Sequence, residues 1–223
     1  MRLKKFMAVF GAFMALGAVL AVSAFATATQ PAESAWYIGG SKLANGSSSS
    51  VKCHSEGSLV LTGSILGEPA EITASGVECL ETKITEEGNK ALDSGKLKFT
   101  GTKMVKPAGC SIPTSLTTAA LKTAIYEEGA TVYDKFEPAS GTTFVNIPVT
   151  GCAFEATAPV SGTVFGKSPN ATGVEKTGQS LSFSSAINTT AGGTLKFAGA
   201  AAALTGTAVN ELTSGAAFGA KEK

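Results

Sequence analysis

Charge is scarce in this 223-residue chain: only 16% of its residues are Asp, Glu, Lys or Arg. The 18 basic residues almost balance the 17 acidic ones, so no basic stripe exists to displace counterions, and no nucleic-acid partner is expected. Histidine occurs once, at His54, which leaves little for metal centres or acid–base relays built on imidazole. No C-x-x-C pair is present, so a closed zinc site would need an unusual ligand set. Phosphate-loop, dinucleotide and EF-hand fingerprints are also missing. Beyond residue 22 no apolar run approaches the roughly 20 residues that a bilayer-spanning helix needs, so no integral span is expected once the leader is gone.

That leader is the clearest positive signal. Met1-Arg2-Leu3-Lys4-Lys5 precedes an apolar run from Phe6 to Val22, and small residues follow in Ala24-Phe25-Ala26 and Ala26-Thr27-Ala28. A basic start, a short apolar stretch and A-x-A sites make a secretory signal peptide over residues 1–28, cleaved after Ala26 or Ala28. Gly11 and Gly17 dilute the run further below a membrane span. Removing Arg2, Lys4 and Lys5 leaves 15 basic against 17 acidic residues, a net charge of −2. The expected location is secreted or cell-envelope associated. The tail from Ala216 to Lys223 offers no apolar anchor, and no lipid-attachment cysteine follows the cleavage site.

Four cysteines, Cys53, Cys79, Cys110 and Cys152, lie in the exported part, and an even count in an oxidising compartment favours two disulfides. Three pairings are possible. Cys53 with Cys79 and Cys110 with Cys152 is preferred, because neighbouring cysteines flank expected hairpins.

Glycine (26 residues), Thr, Ser and Ala dominate what remains, a composition suited to short strands and tight turns. Residues 29–52 read as a loose N-terminal segment holding one short strand, Trp36-Tyr37-Ile38, and a Ser-rich loop, Asn45 to Ser50. Trp36 is the expected core anchor. Residues 53–223 read as a single β-rich domain. Apolar residues two apart recur at Leu59 and Leu61, at Leu97 and Phe99, at Val145, Ile147 and Val149, at Leu181 and Phe183, and at Leu195 and Phe197. That period belongs to half-buried strands. The fold class is therefore all-β, an antiparallel sandwich or barrel-like domain after the signal peptide. Ser115–Tyr126 fits either a helix starting near Pro113 or a strand turning at Glu127-Glu128-Gly129-Ala130, with the strand preferred. Ala198 to Leu204 is open between helix and strand.

Gly76-Val77-Glu78-Cys79, Phe136-Glu137-Pro138 with Gly141, Thr142 and Phe144, then Cys152, Val160 to Gly166, Pro169-Asn170 and Leu181-Ser182-Phe183 together resemble a group of uncharacterised exported β-proteins of high-G+C Gram-positive bacteria. The resemblance implies an exported β-domain and carries no catalytic residue. Cys53 departs from the group's commoner pattern.

Three short motifs test an enzymatic alternative. Ser49-Ser50-Val51-Lys52, Ser168-Pro169-Asn170 and Lys176-Thr177-Gly178 follow the S-x-x-K, S-x-N, K-T-G order of penicillin-recognising serine enzymes. Such an enzyme needs its serine and lysine one turn apart on a buried helix, whereas this tetrad leaves a serine run. Glu86-Glu87 and Glu127-Glu128 are adjacent acids that would point to opposite faces of a strand; solvated turns are expected there. No catalytic, cofactor-binding or metal-ligating residue is assigned, and no cofactor. The expected function is a non-enzymatic exported β-domain that binds or assembles at the cell envelope or outside the cell, its protein or envelope partner and oligomeric state open. The alternative is a carrier of a small apolar ligand inside a closed barrel, with Trp36, Leu97, Phe99, Phe183 and Phe197 lining either the core or the ligand.

Overall fold

A computed structural model describes residues 27–152, 155–168 and 173–222. The expected signal peptide lies, but for residues 27 and 28, outside them.

The strands are β1 (Ser34–Ile38), β2 (Ser41–Lys42), β3 (Ser48–Ile65), β4 (Glu68–Ala74), β5 (Gly76–Glu87), β6 (Lys90–Thr100), β7 (Lys103–Lys106), β8 (Ser115–Thr117), β9 (Leu121–Glu128) and β10 (Thr131–Pro138). They continue with β11 (Thr143–Val149), β12 (Ala156–Ser161), β13 (Val164–Lys167) and β14 (Gly178–Phe183). One short helix, α1 (Ser185–Thr190), precedes β15 (Lys196–Phe197), β16 (Ala200–Ala201), β17 (Ala203–Leu212) and β18 (Phe218–Glu222).

Eight of these strands close a barrel. Neighbours run β3, β5, β6, β9, β10, β13, β14, β17, and β17 returns to pair antiparallel with β3 from Ala203↔Thr62 to Leu212↔Val51. Closure removes the free edges that an open sheet would present. β3 is 18 residues long and serves two structures. Its first part borders β5 in the wall, and its second part pairs with β4, which pairs with β7, as a wing extending from the barrel.

A four-stranded sheet, β11-β12-β15-β16, covers the wing. Ile65, Ile72, Phe144, Ile147, Val160 and Phe197 fill the space between them, continuous with Leu116, Phe136 and Leu181 at one end of the barrel. The other end is stoppered by the sheet β18-β1-β2. Trp36 stacks at a tilt on Phe218 with ring centroids 5.9 Å apart, above Val51, Ile84, Ile125 and Leu212. Its indole nitrogen donates to the carbonyl of Leu92 at 2.8 Å, so the buried donor is satisfied.

Both preferred disulfides form, Cys53–Cys79 bridging β3 to β5 and Cys110–Cys152 tying the loop after β7 to the end of β11. Ser115–Tyr126 is strand, as β8 and β9, and Ala198–Leu204 resolves into β16 and the start of β17.

Other expectations are revised. Ser48, Ser49 and Ser50 are not loop: they pair with Thr85, Ile84 and Lys83 of β5, because β3 needs that length to reach β17 and β5 together. Thr29 is held by two backbone hydrogen bonds to Glu127, and Ser34 is buried with its Oγ accepting from Ala91 N. A bulge between Thr143 and Val145 buries Phe144, breaking the simple alternation expected there. Helix α1 was not expected. Its cap is Ser184, which accepts from Ile187 N at 3.1 Å, and Asn188 accepts from Phe165 N.

Candidate functional site

Alternate residues of each wall strand point inward, so the cross-strand registers stack them in layers. At the wing end Leu97, Phe99, Phe136, Leu181 and Phe183 crowd around a cavity of about 30 Å³. A second cavity of about 90 Å³, lined by Leu59, Leu61, Ile72, Phe144 and Val160 among others, lies between barrel end, wing and covering sheet. Ligand pockets run to roughly 300–1,000 Å³. The core is filled by side chains. Trp36 belongs to the stopper, apart from Leu97, Phe99 and Phe183; Phe197 of the covering sheet, its ring against Gly63, shares their continuous core but does not line the cavity that they border.

One interior layer is polar. Asp93 of β6, Asp134 of β10 and Asn210 of β17 line a cavity of about 40 Å³ beneath Trp36 and Leu181. Burial, and then the charge of Asp134, hold the Asp93 carboxyl well above the usual carboxylate range; burial raises Asp134 to about 7. The layer lies between wall and stopper, and both carboxyl side chains are buried.

A roomier concavity, about 550 Å³, lies outside the barrel across β5, β6, β9 and β10. Two cross-strand rows make its floor. In one, Lys83, Ser94, Lys122 and Glu137 stand side by side; in the next, Thr85, Leu92, Ala124 and Lys135. These side chains alternate with the inward set, so the residues that fill the core also fix the groove. Segment 27–31 forms one bank: Ala28 packs with Tyr126, Tyr133, Phe165 and Ala191, and Gln30 borders the groove.

Glu137 organises the charges. Its two oxygens take Lys135 at 2.9 Å and Lys122 at 3.1 Å. Lys135 lies 5.2 Å from the Tyr126 ring centroid and donates to its hydroxyl at 3.5 Å. Burial alone would lower Lys135, but Glu137 and Tyr126 outweigh it and hold the ammonium above its ordinary value. Burial alone would raise Glu137, and the two lysines outweigh that and lower it. Lys83 is exposed and forms no ion pair among the described residues. Three ammonium groups face the carboxylates of Glu137 and Glu87, and Asp93 borders the groove from the interior side. Leu92, Ala124 and Tyr126 supply apolar floor between the charges, an arrangement that fits a ligand carrying hydroxyl or anionic groups on an apolar frame.

The enzymatic motifs do not assemble. Ser49 and Lys52 lie three apart on the extended strand β3, hence on opposite faces, and Pro169-Asn170 falls outside the described residues. Glu86 is not a solvated turn residue. It is fully buried, accepts from Trp36 N at 3.2 Å and pairs with Lys42 Nζ at 3.2 Å. Glu128 accepts from Tyr133 OH. Among the described residues no three His, Cys, Asp or Glu side chains converge on one point, and no helix is long and apolar enough to cross a membrane. Neither the groove nor the Asp93 layer was singled out from sequence. The available signal was a polar residue at an inward strand position, as in Leu92-Asp93-Ser94 and Tyr133-Asp134-Lys135. No protein-family model, curated protein or solved structure matches the chain.

Proposed function

We propose that this chain is an exported, non-enzymatic binding domain that holds its partner on the outer face of the barrel, in the groove over β5, β6, β9 and β10. The observation that carries this reading is the contrast in space: about 550 Å³ on the outside against cavities of 30–90 Å³ within. Two disulfides fit an oxidising compartment. The filled interior weighs against an apolar-ligand carrier. Assembly by strand addition is disfavoured in the wall, which has no edge. The wing edge, β7, is four residues long and bears Lys103 and Lys106, the usual guard against such pairing.

The test is co-sedimentation of the mature, oxidised protein with purified envelope fragments from its own source, alongside native mass spectrometry. Retention that falls at least tenfold in Lys83→Glu/Lys122→Glu supports the groove. Retention unchanged in that variant, or an apolar small molecule found bound to the purified monomer, overturns it.

A further inference from the structure

Two carboxylates in a barrel core are costly unless something offsets their charge. Among the described residues no basic side chain forms an ion pair with either one. Lys83, Lys122 and Lys135 stand on the outer face of β5, β9 and β10. Lys52 and His54 of β3 and Lys167 of β13 are exposed, and Lys52 pairs with Glu211 of β17. Lys96 of β6 borders the neighbouring cavity, yet its ammonium is turned to Glu81 at 3.9 Å. β14 contributes Gln179, whose amide nitrogen donates to the carbonyls of Val174 and Phe218.

Asp93 also lacks a neutral donor among the described residues. Asp93 is 8% exposed, and its buried Oδ1 accepts no hydrogen bond from any described group. Burial, and then the charge of Asp134, raise the Asp93 carboxyl. Both line the cavity of about 40 Å³; Asp93 and Asn210 also line a second of about 30 Å³, to which Thr82 and Thr123 add hydroxyl groups. That is room for a bare ion and one or two waters.

We propose that Asp93, Asp134 and the amide oxygen of Asn210 form a buried site for a single divalent calcium ion. The donors are all hard oxygens, and two carboxylates neutralise one divalent charge. Calcium tolerates the irregular geometry that three strands on different sides of a barrel impose. Magnesium demands a regular octahedron and keeps several waters, for which the cavity lacks space. The site pins β6, β10 and β17 together, so its occupancy reads out as stability. Residues 93, 134 and 210 are far apart in sequence, which is why no ligand motif announces it.

The mature, oxidised protein is melted at pH 8 in EDTA and then in 10 mM calcium, and titrated with terbium, a calcium mimic whose emission is excited through Trp36 on the same cavity. The expected result is a rise in Tm of about 5 °C with calcium and one terbium per chain, displaced by calcium. Asp93→Asn and Asp134→Asn lose both responses and, in EDTA, melt no lower than wild type. Wild type with no Tm shift and no sensitised emission overturns the site, leaving a pair of carboxyls that hold protons. Equal shifts with magnesium, or a shift kept in both variants, likewise overturn it. The wild-type measurement stands even where a variant fails to fold.

Discussion

Replacing Asp134 by Asn should change how stability depends on pH. In the folded barrel Asp134 releases its proton at about 7, against 3.8 for the free side chain. Below pH 3.8 the carboxyl is protonated whether folded or not, and its contribution to stability is fully present. As pH rises towards 7 the unfolded chain gives up the proton while the folded chain keeps it, so stability falls; above 7 both are ionised and the loss is complete. At about 1.4 kcal/mol per pH unit, the span from 3.8 to about 7 is worth about 4 kcal/mol. Many domains have only 5–15 kcal/mol in all. The assay is urea unfolding in EDTA between pH 4 and 8, followed by emission of the only tryptophan, Trp36. Wild type should lose about 4 kcal/mol more than Asp134→Asn across that range. Parallel pH profiles for the two proteins would refute the reasoning, since they would mean that Asp134 reaches water in the folded state.

Removing the ammonium of Lys42 leaves the buried Glu86 with only Trp36 N, so Lys42→Ala should cost about 3–5 kcal/mol by chemical denaturation, while Lys42→Arg should recover most of it. Cys53→Ser/Cys79→Ser opens a loop of separation 26 and should cost about 3 kcal/mol, measured as a lower urea midpoint. Gly206 has φ +126 at the irregularity between β17 and β3, and a Cβ there would lie 2.9 Å from the Ser58 carbonyl oxygen. Gly206→Ala should therefore destabilise by about 2 kcal/mol or more and lower the yield of oxidised protein. Lys122→Ala, on the groove surface, should leave the urea midpoint within about 0.5 kcal/mol of wild type.

Alternation made the wall strands legible: Leu97 and Phe99, or Leu181 and Phe183, declare which face is inward without reference to any partner. The disulfides were legible too, because sequence-adjacent cysteines flank hairpin-like segments. What local pattern does not carry is the answer to which strand meets which. Ser48 to Ser50 have no apolar content of their own and become strand only because β5 lies beside them. Glu86 looks like a turn residue until Trp36 and Lys42, more than 40 residues earlier, close over it. The groove escaped notice for a related reason. Its rows assemble one or two residues from each of four strands, so no stretch of sequence resembles a site. Inward Asp93 and Asp134 were visible as exceptions to the apolar alternation, but their meeting depends on barrel closure.

The pairing of β3 with β17 joins residues 51–62 to residues 203–212. Such a seam sets an order in time. Until β17 has been made and brought round, β3 has only one of its wall neighbours and the polar layer lacks Asn210. Contacts this remote in sequence form late and slowly. A chain that emerges from its first residue onward therefore cannot complete its barrel until its last fifth is free, because β14 and β17 both lie there. The position of the seam makes closure of the barrel one of the last events in folding, whatever the rest of the chain has already done.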